Sequence, residues 1–241
     1  YSSVALNVLG DIVESVAGTT LGEYVKKHIF EPLGMRDTTL GIAADRQKPR
    51  EVCLNLAPGG YTGTDSGRAF QHKPASEGGA PSSNWNSDYW RELGAPWGGM
   101  TSSVGDLAVF CQSILGHEAI PSLLSAATVD TMTSPQTHGE MPAIDSLPEH
   151  AREVEIYNGK PPSCWGLGWR VNHPGTELKF GEANAGRTYG HHGAVGAMIW
   201  CDPDTGVSLC VASPEPDLCY SAEFNQLSDQ LVAGVKRRTT G

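Results

Sequence analysis

The sequence contains no uninterrupted apolar run of the roughly 18 residues that a membrane-spanning helix requires, because charged residues interrupt its helical patterns. Cations are also scarce: 17 lysines and arginines stand against 27 aspartates and glutamates, so the formal net charge is -10. An acidic surface repels the phosphates of nucleic acids and of anionic lipids. We therefore expect a chain with no membrane span and no nucleic-acid partner.

No two cysteines form a Cys-x-x-Cys pair, so the sequence offers neither a zinc nor a redox motif of that kind. Free cysteines are usually buried and behave as small apolar residues. We interpret all six cysteines in this way, and a disulfide between two of them is the alternative. We expect no metal and no cofactor. The six are Cys53, Cys111, Cys164, Cys201, Cys210 and Cys219.

The sequence begins at Tyr1 without an initiator methionine, a basic segment or an apolar leader. We interpret this start as a cut edge, so that any export signal would lie upstream of it. The 241 residues, of which 39% are hydrophobic, are enough for one sizeable core.

Helical periodicity dominates the first half of the chain. Apolar residues recur at spacings of three and four over residues 4–17, followed by Gly18 as a stop, and this helix is expected to pack on the core. Thr20 and Glu23 form a capping box for a second helix, which is expected to end before Pro32. Further helices are predicted over 103–115, 122–132 and 221–237.

The apolar pattern changes to strand-like alternation near residue 165. Strands are predicted over 165–171 and 188–192. The segments 197–201 and 207–211 flank an Asp-Pro-Asp-Thr-Gly turn, which is typical of a hairpin. An antiparallel sheet is therefore expected in this part of the chain.

Two stretches, 41–96 and 134–163, are rich in turn-forming residues and lack sustained periodicity. We interpret both as long loop insertions. The aromatic residues of the first stretch fit one wall of a cleft as well as a simple surface insertion.

Four motifs along the chain resemble those of one enzyme family. They occur in the family's order and are spread over nearly the whole sequence. They are Tyr1-Ser2-Ser3 with the helix that follows; Phe30-Glu31-Pro32-Leu33-Gly34-Met35; Gly98-Gly99-Met100-x-Ser102-Ser103-x-x-Asp106; and Gly190-His191-His192-Gly193 with Asp202-Pro203-x-Thr205-Gly206. The chain thus resembles the class C beta-lactamases, the penicillin-binding D-alanyl-D-alanine peptidases and related esterases.

The resemblance implies an α+β fold of the beta-lactamase/transpeptidase type, in which a C-terminal helix covers an antiparallel sheet and a helical layer is added. Residues 1–241 would be the C-terminal part of one such domain, with the N-terminal part absent. Self-association, or an upstream segment, would then complete the fold. The resemblance also favours a periplasmic or extracellular location.

The family's nucleophile is a serine followed three residues later by lysine, which puts hydroxyl and amine one helical turn apart. None of the serines in this sequence has lysine at that position. Because the motif precedes the tyrosine motif in the family, we expect the parent protein to carry it and the chain alone to be inactive.

The resemblance implies catalytic roles for three residues. Tyr1 would share a proton network with the missing serine and lysine, as general base in acylation and proton donor to the leaving group. Ser3 stands where the family usually has asparagine, and it offers a hydroxyl in place of an amide. The amide N–H of Ala194 would be the second oxyanion donor.

Three further residues would bind substrate. His191-His192-Gly193 stands where beta-lactamases have Lys-Thr-Gly and some related peptidases and esterases have His-x-Gly. His191 gives a pH-dependent donor where lysine gives a constant cation, which favours peptidase or esterase activity over penicillinase activity. Gly193 would let a substrate backbone lie along the strand edge. A metal site is disfavoured, because adjacent strand residues point to opposite faces.

Two hypotheses of different class follow. In the first, the parent protein is a serine hydrolase that forms an acyl-enzyme with a small-molecule ester, peptide or lactam. In the second, it is a non-catalytic, penicillin-binding-like module with a binding or regulatory role. In the first case Tyr1 and His191 are expected to line one cleft, within about 10 Å of each other.

Overall fold

The structure is a computed structural model of the chain. It describes residues 2–42, 88–137, 163–176, 178, 180–183, 186–193, 196–213 and 222–239. The predicted loop insertions 41–96 and 134–163 lie mostly outside these parts. Where the first insertion is described, the chain forms a short helix that the sequence analysis did not predict, α4, Asp88–Leu93.

Helix α1, Ser3–Ala17, confirms the first predicted helix. It begins after Ser2, whose Oγ accepts a hydrogen bond from the amide of Ala5 at 3.2 Å. It ends at Gly18, which adopts a φ of 66° that glycine reaches without steric cost. Both ends therefore follow from local sequence.

One side of α1 has no described partner. Gly10 is its buried residue, and the side chain of Val16 is 84% exposed. The expectation that the apolar residues of α1 pack on the core is thus wrong for this side of the helix. Apolar residues that are half or more exposed are Val4, Val8, Leu9, Ile12 and Val16.

The second helical region begins at the predicted capping box, in which Thr20 and Glu23 exchange side-chain to backbone hydrogen bonds. It does not end before Pro32, as expected, because Pro32 lies in the first turn of a new α-helical segment, where no N–H donor is needed. The chain turns only at Gly34. The segments are α2, Leu21–Val25; a π-helical segment, Lys26–Phe30; and α3, Glu31–Leu33.

None of the helices in the described residues is by itself long and apolar enough to cross a bilayer. Helix α1 and residues Leu21–Leu33 reach the length and apolar composition of a membrane span only when they are taken together. The two segments are bent by 76° relative to each other.

A small two-stranded sheet and two helices connect the N-terminal helices to the rest. Thr39 pairs with Thr101 and Leu40 with Met100 in antiparallel register. The helix predicted over 103–115 is confirmed, and the one predicted over 122–132 begins later than expected, after Ser125. These elements are β1, Thr39–Leu40; β2, Met100–Thr101; α5, Val104–Ile114; and α6, Ala126–Thr133.

Asp106 ties the start of α5 to the approach of β1. Its Oδ2 accepts hydrogen bonds from Thr38 Oγ1 at 2.7 Å and from the Asp37 amide at 2.9 Å. Its own amide donates to the N-cap hydroxyl of Ser103 at 3.1 Å. One carboxylate therefore joins two parts of the chain that are far apart in sequence.

The main sheet has five described strands, all antiparallel, in the order of the sequence. The predicted hairpin is confirmed by its last two strands. The single strand predicted over 165–171 is instead two strands, because Gly168 adopts a φ of 78° and turns the chain between them. The strands are β3, Cys164–Trp165; β4, Arg170–Val171; β5, Tyr189–His192; β6, Ala197–Asp202; and β7, Val207–Ala212.

Each face of the sheet carries its own apolar cluster. Helix α5 packs on one face, against β6 and β7. The C-terminal helix α7, Ala222–Thr239, covers the other face as predicted, and Trp200 Nε1 donates to Ser228 Oγ there at 3.1 Å. The α5 face includes Cys111, Trp169, Val171, Tyr189, Ile199 and Cys201. The α7 face includes Phe180, Met198, Trp200, Phe224 and Val232.

Candidate functional site

Strand β5 presents its two histidines to opposite faces of the sheet. His191 pairs with Ile199, which belongs to the α5 cluster, and His192 pairs with Met198, which belongs to the α7 cluster. Cross-strand partners share a face, so the Cβ atoms of the two histidines leave β5 on opposite sides, while their ring centroids lie 5.9 Å apart. The described residues contain no group of three or more side chains arranged to hold a metal ion.

His191 occupies a half-buried position beside an aromatic ring. The centroid of its imidazole lies 5.6 Å from that of Trp165. Its Nδ1 lies 2.9 Å from the carbonyl oxygen of His192. A carbonyl only accepts, so this bond places the proton on Nδ1 and leaves Nε2 as the acceptor of the neutral ring.

Burial lowers the pKa of His191 below its ordinary value of 6.5. The hydrogen bond to the His192 carbonyl acts in the opposite direction, and the charge of Arg170 lowers the pKa further. His191 is therefore a neutral imidazole at neutral pH. In that state it offers hydrogen bonds rather than a positive charge to a ligand.

The two glycines that flank the histidines differ in their surroundings. A Cβ built at Gly190 would lie 2.8 Å from Phe180 Cζ and 2.8 Å from Trp200 Cβ, so no side chain fits there. A Cβ at Gly193 would lie 3.6 Å from Ala197 Cβ, which is ordinary contact. Packing therefore requires glycine at position 190, whereas no contact among the described residues requires it at position 193.

The three predicted catalytic residues are only partly within the described chain. Ser3 is the first residue of α1 and is half-buried, and Ser2 rather than Ser3 caps the helix. Tyr1 and Ala194 lie outside the described residues. The proton network of Tyr1, its distance to His191 and the oxyanion role of Ala194 thus stay predictions.

Several residues of the four motifs make contacts that stabilise the fold. The backbone of Ala95 approaches Gly99 so closely that a Cβ there has no room. Asp106 joins α5 to the segment before β1. Asp202 accepts hydrogen bonds from the amide of Asp204 and the hydroxyl of Thr205 in the hairpin turn. These motif residues therefore hold turns and the ends of elements in the fold.

Trp165 is a site residue that the sequence analysis did not single out. It lies on the outermost described strand, and its carbonyl accepts from the Gln136 amide at 2.7 Å. Its amide donates to Thr137 Oγ1 at 3.1 Å. Local sequence places Trp165 only in a strand, because its contact with His191 depends on how β3 and β5 lie in the folded sheet.

A cavity lies between α1 and α4, away from β5. Its volume is about 780 Å³, and it is lined by Gly10, Glu14, Trp90 and Trp97 among others. The two tryptophan rings lie 5.0 Å apart. Among the predicted site residues that the structure describes, Ser3, His191, His192 and Gly193, none lines this cavity.

The family comparison agrees with the fold. A family model described as Beta-lactamase matches residues 1–217. The chain belongs to the beta-lactamase family. The expected α+β architecture of this family is confirmed by similar solved structures.

Similar proteins carry names that state different activities. A putative D-alanyl-D-alanine carboxypeptidase from Escherichia coli O157:H7 is 28% identical over 225 residues, or 90% of this chain and 45% of that protein. The chain thus spans about half the length of the curated relatives it matches. A beta-lactamase from Mycobacterium bovis is 26% identical with a TM-score of 0.62, covering 98% of this chain and 64% of that one. An octameric penicillin-binding protein homologue from Pyrococcus abyssi is 22% identical with a TM-score of 0.59, covering 96% and 42%.

Proposed function

We propose that this chain is the substrate-binding part of a serine acyl hydrolase that prefers peptide or ester carbonyls to lactams. The observation that carries the preference is the half-buried position of His191 on β5, where burial lowers the pKa of its imidazole. A cation at this position would attract a ligand carboxylate, whereas a neutral imidazole contributes only hydrogen bonds. The name of the 28% identical relative, a putative carboxypeptidase, points to the same class of substrate.

The roles of the remaining site residues complete the proposal. Tyr1 would transfer protons between the nucleophile and the leaving group. Ser3 would donate one hydrogen bond where an asparagine would offer both a donor and an acceptor. The Ala194 amide would stabilise the oxyanion, and Gly193 would leave room for the substrate backbone along the strand.

The nucleophile of this proposed enzyme must come from outside the 241 residues, because none of their serines is followed three residues later by lysine. We therefore expect the chain alone to form no acyl adduct. The exposed apolar residues of α1 support a fold completed by another segment or by a second copy. In that arrangement the 241 residues belong to one domain, with 41–96 and 134–163 as its insertions.

Acylation experiments test the proposal in two steps. The 241-residue chain is incubated with a p-nitrophenyl ester, a D-alanyl-D-alanine peptide and a penicillin, and its intact mass is measured. No adduct and no hydrolysis are expected, so turnover by this chain would contradict the proposal that its nucleophile lies elsewhere.

The coding sequence around the chain is then read for Ser-x-x-Lys. Its absence, or a longer product with the motif that forms no acyl adduct, would favour the non-catalytic binding module.

Site variants of an active longer product test the role of His191. His191→Ala is expected to lower kcat/KM by about 3- to 10-fold, the value of one neutral hydrogen bond. His192 was also expected to bind substrate, but it pairs with Met198 of the α7 cluster, so in this proposal only His191 contacts the substrate. His192→Ala is therefore the comparison variant and should leave kcat/KM within about twofold of the unmodified protein. Equal losses in the two variants would contradict the assignment of His191. Faster acylation by penicillin than by ester or peptide would contradict the substrate preference.

A further inference from the structure

Three thiols meet where helix α5 crosses the sheet. Sγ of Cys111, on α5, lies 3.8 Å from Sγ of Cys210, on β7. The Cys201 thiol donates to the Cys111 carbonyl at 3.9 Å. Gln112 Nε2 also donates to Ser208 Oγ at 2.9 Å, so a second contact holds the same helix on the same strand. The Gln112–Ser208 hydrogen bond thus holds α5 on β7 beside the two sulfurs.

We propose that Cys111 and Cys210 form an oxidisable pair that a small disulfide converts into a covalent cross-link between α5 and β7. A disulfide bond is about 2.0 Å long, so the sulfurs must approach by about 1.8 Å. The site is separate from the proposed acyl-transfer chemistry and does not depend on it.

The cross-link forms by two thiol–disulfide exchanges. Cys210 is the first to react, because it is partly exposed while Cys111 is fully buried. Its thiolate attacks one sulfur of glutathione disulfide, forms a mixed disulfide and releases one glutathione thiolate. The Cys111 thiolate then attacks the Cys210 sulfur and releases the second glutathione. Two protein thiols lose their protons and two electrons, and one glutathione disulfide is reduced to two glutathione thiols.

The environment of the pair slows this exchange at neutral pH. The hydrogen bond to Cys111 and then burial raise the pKa of the Cys210 thiol. The neighbouring Cys201 thiol raises the pKa of Cys111 most, and burial adds to it. Since only the thiolate attacks, the reaction is expected to accelerate with rising pH.

The position of the pair relates it to the candidate site. Cys210 is the cross-strand partner of Ile199, which is in turn the partner of His191. The three residues therefore lie in one row across the α5 face of the sheet. A cross-link at Cys210 would fix α5 at the end of the row that begins with His191. It would also join residues that are 99 apart in sequence and so constrain the unfolded chain.

The cross-link is tested on the folded, fully reduced 241-residue chain. The chain is incubated with glutathione disulfide, its free thiols are alkylated, and it is mapped by mass spectrometry without reduction. Trypsin alone leaves Cys201, Cys210 and Cys219 in one peptide, whereas additional cleavage at aspartate separates them, because Asp202, Asp204 and Asp217 lie between them. A peptide pair linking Cys111 to Cys210 is expected, with a melting temperature raised by about 5 °C or more and restored by dithiothreitol.

Two variants sharpen the result. Cys210→Ala is expected to abolish the cross-link and the change in melting temperature, and Cys201→Ala is expected to retain both. Formation of the cross-link should be faster at about pH 9 than at about pH 7. A link from Cys111 to Cys201, links made only by Cys53 or Cys219, or a stable glutathione adduct on Cys210 without ring closure would each overturn the proposal. The mapping of the unmodified chain gives the answer even if a variant does not fold.

Discussion

The ring of Trp165 lies 5.6 Å from the ring of His191, although the two residues belong to strands that are not neighbours in the sheet. Strand β4 separates them in the strand order, but its described pairing with β5 ends at Gly190. His191 therefore continues past the end of β4, where Trp165 partly shields it. This shielding is consistent with the burial that lowers its pKa.

The first prediction concerns acid stability. Because the pKa of His191 is lowered on folding, the unfolded chain binds more protons than the folded chain between the lowered value and 6.5. The contribution of the neutral His191 ring to the free energy of unfolding is fully present above about pH 6.5. It is lost as the pH falls through this interval. His191→Gln should therefore reduce the slope of unfolding free energy against pH there, measured by urea denaturation. An unchanged slope would contradict the lowered pKa.

The second prediction concerns Trp165 as the cause of the burial. Trp165→Ala exposes the imidazole and should move the pKa of His191 back towards its ordinary value. Trp165→Phe keeps an apolar ring and should leave the pKa lowered. The titration of the His191 ring protons by NMR measures both variants. If both titrate like the unmodified protein, the shielding comes from other residues.

The third prediction separates the two glycines of the motif. Gly190→Ala should lower the free energy of unfolding by about 1–3 kcal/mol or more, because its Cβ meets Phe180 and Trp200. Gly193→Ala is the matched control for stability and should stay within about 1 kcal/mol of the unmodified chain. In an active longer product, however, Gly193→Ala should lower kcat/KM. A stable Gly190→Ala variant would show that the sheet adapts at this point.

The fourth prediction concerns the network around Asp106. Asp106→Ala removes the acceptor of the Thr38 hydroxyl and the Asp37 amide, and it should cost about 1–3 kcal/mol of unfolding free energy. Asp37→Ala is the control, because Asp37 contributes its backbone amide to this contact and its side chain is exposed. Chemical denaturation measures both. Equal effects of the two variants would argue against the carboxylate as the anchor.

The fifth prediction concerns the apolar side of α1. The 241-residue chain should associate as its concentration rises, and replacing Val8 and Ile12 by serine should reduce the association without lowering the melting temperature, since both are about half exposed. Asp11→Ser, on the same helix, should change neither. Light scattering and thermal melting decide. A compact unmodified monomer that melts cooperatively at an ordinary temperature would show that this side of α1 needs no partner.

Local sequence predicted the elements whose ends carry their own signals. Gly18, the Thr20 and Glu23 capping box, and Ser103 each begin or end a helix where expected. The hairpin was equally clear, because apolar strands flank a turn that ends at Gly206, with a φ of 70°. These features depend on contacts between residues close in the chain, so no knowledge of the tertiary fold was needed.

Predictions of secondary structure and burial were wrong where contacts with distant residues, rather than neighbouring residues, decide the conformation. Pro32 was expected to end a helix, but the preceding π-helical segment lets the chain resume as α3. The segment 165–171 reads as one apolar strand, but Gly168 turns it into two. The apolar pattern of α1 predicted a helix correctly and its burial incorrectly, because periodicity does not show which partner covers a face.

The sequence by itself determined the family, the helix caps, the hairpin and the histidines as candidate ligand-binding residues, because these depend on residue types at short spacing. Only the tertiary structure decided that His191 lies beside Trp165, that Gly190 rather than Gly193 is required by packing, and that Cys111 meets Cys210. The reason is physical: such contacts join residues from 10 to 99 positions apart in different elements, and their energies depend on burial and register. Neither burial nor register is encoded in a local pattern.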